Sequence, residues 1–280
     1  MRWRKDPNPR PQNPRQEGMQ GASPAEKSDK IWASLEPFKR RLERARGVVA
    51  RALAQSKRPA VAFSGGKDSL AVLELVCEQA SGVRAIMYDS GLEYPETIPF
   101  VRATCERLGV ELTIIEPGMS LLEIYKHCGQ WGYRGPETEA VTYSWKDVAR
   151  AMTAECARFA AAKLGLDVLF LGLRADESLA RRNYLAAAGE IHYHASDGLT
   201  HAYPIAWWTQ QDVWAYLSSR GVPHHPAYDR TGMRSREQIR IAPYGGGTML
   251  SAGRMAWLKA EYPELFNRFA AMFPEVRRYV

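Results

Sequence analysis

Six consecutive residues, Ser64-Gly65-Gly66-Lys67-Asp68-Ser69, combine what a phosphate group asks of a protein. Paired glycines let the chain turn sharply and bring amide N–H groups close to an anion. Lys67 adds a full positive charge, and the hydroxyls of Ser64 and Ser69 add donors. The apolar run Ala60-Val61-Ala62-Phe63 precedes the turn, and a stretch with Leu70, Leu73, Val76 and Cys77 on one face follows it. That order puts the turn between a buried strand and a helix N-terminus, whose dipole favours negative charge. Asp68 repels a bare phosphate, so it reads as a ligand of a bridging Mg²⁺ or as a helix cap. The spacing is not that of a Walker A loop, G-x-x-x-x-G-K-S/T. Val61 stands where that pattern needs its first Gly, and Asp68 where it needs Ser or Thr.

Two further segments carry the same kind of chemistry. In Asp89-Ser90-Gly91-Leu92-Glu93-Tyr94-Pro95-Glu96-Thr97, Asp89 follows an apolar run, where a carboxylate can meet a ribose, a metal or a backbone amide. Pro95-Glu96 opens a helix there, and Glu96 is expected to favour its positive end. In Gly172-Leu173-Arg174-Ala175-Asp176-Glu177-Ser178-Leu179-Ala180-Arg181, Arg174 and Arg181 suit bidentate anion binding, with Glu177 orienting one of them by an ion pair. Downstream, Arg230, Arg234, Arg236 and Arg240 form a basic segment able to close over an acidic substrate. His192, His194 and His201 invite a zinc reading. Their alternation points instead to one face of a strand, and no cysteine or acid is read beside them at ligand spacing.

The elements that must position these residues alternate along the chain. An amphipathic helix is expected over 31–55, strands over 60–63, 83–88, 110–115 and 168–171, and helices over 68–79, 96–108, 120–126 and 145–164. A Gly-rich loop spans 127–142, and Thr209 caps a helix carrying Val213, Trp214 and Leu217. This alternation implies an α/β, Rossmann-like, mostly parallel sheet with helices on both faces. Ligands of such sheets bind outside the carboxyl ends of the strands, where all three segments fall.

The bulk numbers agree. At 280 residues and 45% hydrophobic, the chain is ample for a buried core. Its net charge of +7, from 38 Lys and Arg against 31 Asp and Glu, suits a polyanionic ligand, a nucleotide or a nucleic acid. The 4 cysteines, Cys77, Cys105, Cys128 and Cys156, form no C-x-x-C pair, which favours a reducing compartment and gives no zinc knuckle. No apolar signal core or membrane span is read, so the expected location is cytoplasmic, with no membrane partner. Residues 1–30 read as a disordered basic tail, 31–240 as the nucleotide-binding domain and 241–280 as a helical extension.

These motifs resemble a known group of proteins. The first loop resembles the S-G-G-x-D-S loop of the PP-loop ATP pyrophosphatases, within the adenine nucleotide alpha-hydrolase-like superfamily. The second resembles D-T-G-x-x-x-P-E-T of the phosphoadenosine phosphosulfate (PAPS) reductase family, matched at Asp89, Gly91, Pro95, Glu96 and Thr97, with Ser90 for Thr. The third resembles that family's G-x-R-x-x-E-S-x-x-R, and the likeness runs from about Lys57 to Arg240. It implies an adenine nucleotide, ATP or PAPS/APS, held by Ser64, Gly65, Gly66, Lys67, Asp68, Ser69, Asp89, Ser90, Gly91, Gly172, Arg174 and Glu177. Lys67, Asp68, Arg174 and Arg181 are the expected catalytic groups, and Asp68 the expected Mg²⁺ ligand.

The resemblance fails at the thiol. Cluster-free reductases of the family carry an E-C-G-x-H segment near the C-terminus, and 266–280 contain no cysteine. Where cluster-bearing members have cysteine pairs, this chain has Ser144-Trp145-Lys146 and Arg234-Ser235-Arg236-Glu237-Gln238, so no iron–sulfur cluster is expected. The leading expectation is therefore an ATP-using enzyme that adenylates an acceptor, in sulfur transfer or nucleic-acid modification, with a protein partner for the second half-reaction. The alternatives are a sulfonucleotide reductase using Cys128, beside His127 and Lys126, and a non-catalytic nucleotide- or DNA-binding module.

Overall fold

Seven strands form one sheet in the order β1-β4-β3-β2-β5-β7-β6. They are β1 (Arg2–Trp3), β2 (Pro59–Ala62), β3 (Arg84–Tyr88), β4 (Glu111–Glu116), β5 (Val168–Phe170), β6 (Ile191–His194) and β7 (Leu199–Ala202). In this computed structural model, residues 2–3, 23–116, 118–129, 133, 135–136, 154–232, 234–241 and 253–280 are described. The tail at 4–22, most of the 127–142 loop and the 145–153 part of an expected helix lie outside them. β2 pairs in parallel with β3 and β5, β3 with β4, and β5 with β7. Only the edge pairings, β1 with β4 and β6 with β7, are antiparallel.

Alternating burial on the strands sorts the helices to two faces. Val61, Ala85, Met87, Val168 and Phe170 point into a large core shared with helices α2 (Glu36–Leu53), α3 (Lys67–Cys77), α4 (Thr97–Leu108) and α5 (Leu121–His127). Ala60, Ile86, Ile115 and Leu169 point the other way, onto Cys156, Ala157 and Ala160 of α6 (Ala154–Leu164). The remaining α-helices among the described residues are α1 (Pro24–Ser34), α7 (Leu179–Ala188), α8 (Gln210–Ser219), α9 (Arg254–Glu261) and α10 (Pro263–Met272). Met255, Trp257, Phe266 and Phe269 of α9 and α10 are buried in the same core as Leu70 and Val101.

The chain runs β2, β3, β4 toward one edge and then returns to place β5 on the other side of β2. The direction of winding therefore reverses between β2 and β5, and a crevice opens at their carboxyl ends. The loops 64–69 and 172–178 leave those ends.

The N-terminal expectation needs correction. Residues 24–30 are helical, not disordered, and the expected 31–55 helix is two helices broken at Leu35, which is extended with ψ 145°. The signal was present as a capping box: Ser23 accepts from the Glu26 amide while Glu26 accepts from the Ser23 amide. Proline-rich surroundings masked it. Pro37 near the start of α2 explains the break. α1 is tied down by Asp29, only 3% exposed, whose carboxylate takes two 2.9 Å bonds from Arg236 and one of 3.0 Å from Ser218. Trp32 donates to Asp212 at 2.8 Å.

Removing one partner of a buried pair leaves the other charge without compensation. Asp29→Ala is expected to lower unfolding free energy by about 3 kcal/mol, read by urea denaturation. An unchanged midpoint would show that α1 adds nothing to the fold.

Candidate functional site

A cavity of about 700 Å³ opens over the carboxyl ends of β2, β3, β5 and β7. The turn after β2 forms its floor: Ser64, Gly66, Lys67, Asp68 and Ser69 all line it. Gly66 is the N-cap of α3, so the amides of the first helical turn face outward without intrahelical acceptors. One of them is taken, since the Lys67 N–H donates to the Tyr228 hydroxyl at 3.0 Å. Ser64 and Ser69 brace the turn across 3.2 Å between their hydroxyls. Gly65 does not line the cavity. It sits in the left-handed region at φ +78°, and a Cβ there would meet Val101 at 3.2 Å, so its role is to shape the turn.

The loop after β5 closes the other wall. Gly172, Glu177 and Arg181 line the cavity. A Cβ at Gly172 would lie 2.8 Å from the Ser69 amide nitrogen and 2.9 Å from the Asp68 carbonyl carbon, so only glycine allows this approach. Arg174 does not face the cavity. It is 1% exposed, and it donates to Asp68 at 2.6 Å and to Asp176 at 3.3 Å. The expected bidentate anion ligand is thus a brace behind the turn. Glu177 pairs with Arg181, as expected of an orienting carboxylate, and also with Arg240 at 2.8 Å.

Asp68 is committed on both oxygens: Oδ1 to Arg174 and Oδ2 to Lys67 Nζ at 2.7 Å. A carboxylate so paired does not fit the Mg²⁺ role expected of it, because a cation would have to displace one of those partners. From the second segment, Ser90 lines the cavity, but Asp89 and Gly91 do not. Asp89 closes its own turn by accepting from the Gly91 amide at 2.9 Å, and the Gly91 carbonyl accepts from Arg268. Glu96 makes no cap bond; its carboxylate takes 2.6 Å from Arg230.

Of the four downstream arginines, Arg240 alone among the described residues reaches the cavity. Arg230 lies over Tyr262 and pairs with Glu96, Arg236 is held by Asp29 over Trp214, and Arg234 donates to the Gln238 carbonyl. Sequence spacing places four cations in one segment but says nothing of which has a carboxylate waiting elsewhere.

At the phosphate end of the cavity Lys67, Arg181 and Arg240 outnumber Asp68 and Glu177, while Asp197 stands on the opposite wall. Burial pulls the Lys67 ammonium below its ordinary value against the attraction of Asp68, and Arg174 and Arg240 add to the depression. Burial also lowers Arg181, reinforced by repulsion from Arg240 and Arg174. Cations that destabilise one another in a desolvated site gain when an anion enters. Two supporting groups titrate away from their ordinary values. Burial raises Glu93, beneath Ser90, to about 7 against the hydrogen bonds Ser90 gives it. Burial lowers His225, packed under Gly65, to about 4.

The opposite wall carries two of the histidines weighed from the sequence and, beside them, an acid that was not. His194, Asp197 and His201 line the cavity together with Tyr88 and Tyr203. The strand face expected for the histidines is present, with His192 directly opposite His201. The statement that no acid partner stands nearby is corrected by Asp197, in the turn between β6 and β7, whose Oδ2 lies 2.9 Å from His201 Nε2. Its position three residues after His194 and four before His201 was the available signal.

Comparison with known proteins gives the family and the fold. The family model described as phosphoadenosine phosphosulfate reductase domain matches residues 58–235. The phosphoadenosine 5'-phosphosulfate reductase of Aliivibrio salmonicida (strain LFI1238) is 27% identical over 172 residues, covering 61% of this chain and 63% of that protein. That of Xanthomonas campestris pv. campestris (strain B100) is 30% identical over 171 residues, covering 61% and 66%. The chain thus spans less than two thirds of the length of these relatives. Among solved structures, the PAPS reductase of Candida auris in a phosphate complex shares the fold with a TM-score of 0.51 at 20% identity, covering 82% of this chain and all of that one. A tRNA thiolase from Methanococcus maripaludis that carries a 4Fe–4S cluster gives a TM-score of 0.51 at 18% identity, covering 86% and 76%. No helix among the described residues is long and apolar enough to cross a membrane.

Gly172→Ala drives a methyl into the first turn of α3, and nucleotide affinity is expected to fall at least tenfold, about 1.4 kcal/mol, in a calorimetric titration. Unaltered affinity would mean the two loops need not touch. Glu93 gives a pH test. The unfolded chain ionises it near its ordinary 4.5, whereas the folded one holds its proton to about 7. Wild-type stability therefore falls across that window as pH rises, and the loss is complete above it. Glu93→Gln removes this loss, so its advantage in urea denaturation grows between those two pH values and then levels off. Parallel profiles would contradict the assignment.

Proposed function

Because the chain belongs to the phosphoadenosine phosphosulfate reductase family, we propose that its cavity receives an adenine sulfonucleotide and presents the sulfonate to a thiol. The observation that carries this reading is the cationic floor: Lys67, Arg181 and Arg240 surround helix-terminal amides at the head of α3. Such a floor takes the phosphate and sulfate end of the ligand, leaving the apolar walls, Ile86, Leu169 and Leu171, to the rest of it.

The chemistry asks little of this chain beyond positioning and charge. A thiolate sulfur attacks the sulfonate sulfur, the bond from that sulfur to the phosphate oxygen breaks, and the nucleotide leaves with the electron pair. Lys67, Arg181 and Arg240 stabilise the charge that grows on the departing phosphate. A second thiol then forms a disulfide with the first and releases sulfite. The attacking thiol comes from outside the cavity. Among the described residues no cysteine lines it, and burial pushes Cys77 and Cys156 up to about 11 and Cys105 to about 12, which keeps them protonated. Cys128 caps the C-terminal end of α5 and packs against the main core, away from the cavity lining. The donor is a dithiol protein partner, or a small dithiol in its place.

That same lack of a lining thiol favours a second reading: ATP held by the same floor and attacked at the α-phosphorus by an acceptor oxygen, with pyrophosphate leaving. Asp68, paired on both oxygens, offers this reading no free magnesium ligand.

Product analysis separates these readings. With PAPS or APS and a dithiol, sulfite is expected, and Cys128→Ser should retain at least half the wild-type rate. Pyrophosphate and AMP from magnesium-ATP without sulfite from either sulfonucleotide would establish the second reading. Nucleotide binding with neither product would leave a binding module and overturn both.

A further inference from the structure

The β6–β7 hairpin places three metal-ligand side chains on the cavity wall facing the phosphate floor. His194 ends β6, Asp197 lies in the turn, and His201 stands on β7. One ligand atom from each lies within 4.8 Å of the others. Asp197 Oδ2 is 2.9 Å from His201 Nε2 and 3.6 Å from His194 Nδ1, and the imidazoles are parallel at 4.6 Å between centroids. Bonds of ~2.1 Å around a four-coordinate zinc put neighbouring ligand atoms about 3.4 Å apart, so small side-chain rotations suffice to close the set.

The surroundings are those of ligands already oriented. The second oxygen of Asp197 accepts from the Leu199 amide at 3.1 Å, leaving Oδ2 for an ion. The second nitrogen of His201 is 3.1 Å from the Tyr203 hydroxyl, and that hydroxyl is 3.1 Å from the one on Tyr184. A ligating histidine whose other nitrogen is fixed by a hydrogen bond is the usual arrangement around protein-bound metals. His194 Nδ1 is also 2.7 Å from the Ser196 hydroxyl, a contact an ion on that nitrogen would displace. A further observation points into the same space. Tyr88 lines the cavity, and its buried hydroxyl has no hydrogen-bond partner among the described residues.

We propose that His194, Asp197 and His201 bind one divalent transition-metal ion of zinc type, with its remaining coordination positions open to the nucleotide cavity. Two imidazoles and a carboxylate select borderline ions over magnesium or calcium, which prefer all-oxygen shells. Three protein ligands leave at least one position for water or an anionic group of a ligand. This site does not depend on the identity of the nucleotide.

Cobalt(II) is the probe, added to chelator-treated full-length protein without nucleotide. One equivalent is expected to bind with d–d absorption of a nitrogen- and oxygen-ligated ion and no thiolate-to-cobalt charge-transfer band. His194→Ala, at a half-buried position, and Asp197→Asn should each weaken binding at least tenfold while the thermal unfolding midpoint in the absence of metal stays within a few degrees. His192→Ala, on the same hairpin but outside the set, should bind as wild type. A charge-transfer band from cysteine, wild-type affinity in His194→Ala, or no stoichiometric binding would each overturn the proposal. The nucleotide reading stands or falls separately, on the product analysis.

Discussion

Two loops from adjacent strands are held at backbone contact by an ion pair behind them, and the rest of the site depends on that closure. Gly172 approaches the first turn of α3 so closely that a methyl would strike backbone rather than a flexible side chain. Behind the contact, buried Arg174 grips Asp68, and Asp68 in turn holds Lys67. The loops meet here because the winding reverses between β2 and β5, which leaves their carboxyl ends without a covering crossover. Without the Arg174 brace, Asp68 would spend its charge on Lys67 alone and cancel the cation that incoming phosphate meets. With it, the acid becomes a fixed support for the lysine that meets the anion.

This arrangement explains why the phosphate end of the cavity is cationic while the motif that builds it contains an acid. Lys67, Arg181 and Arg240 each have a carboxylate partner, but those partners also neutralise a more distant or shared cation. Burial depresses both Lys67 and Arg181, so an entering anion relieves a strain already present. Lys67 is buried, so the relief there is larger than it would be in water, whereas Arg181 and Arg240 are nearly half exposed and partly screened by solvent.

The sequence made the scaffold and one loop legible. A short apolar strand, paired glycines and an amphipathic helix have local signatures, and β2, the 64–69 turn and α3 appear where those signatures put them. The division of labour among charges was not legible, because it depends on residues far apart in the chain. Arg174 turns inward through Asp68, whereas Arg240, more than sixty positions away, takes the cavity place by way of Glu177. Asp197 was not legible because it sits in the hairpin turn, outside the strand alternation that relates the histidines. The helix at 24–34 was hidden by composition, although its Ser-x-x-Glu capping box was readable.

The central claim is that the cradle between β2 and α3 holds the anionic end of an adenine nucleotide. Gly66→Val tests it most directly. Gly66 has an ordinary φ of −72°, and a Cβ there meets nothing nearer than the Ser64 hydroxyl at 3.4 Å, so the fold tolerates the change while the added side chain occupies the floor. Calorimetric titration with PAPS, APS and ATP should show affinity reduced at least tenfold for whichever nucleotide the wild type binds, with an unchanged thermal midpoint. Wild-type affinity in that variant would contradict the account.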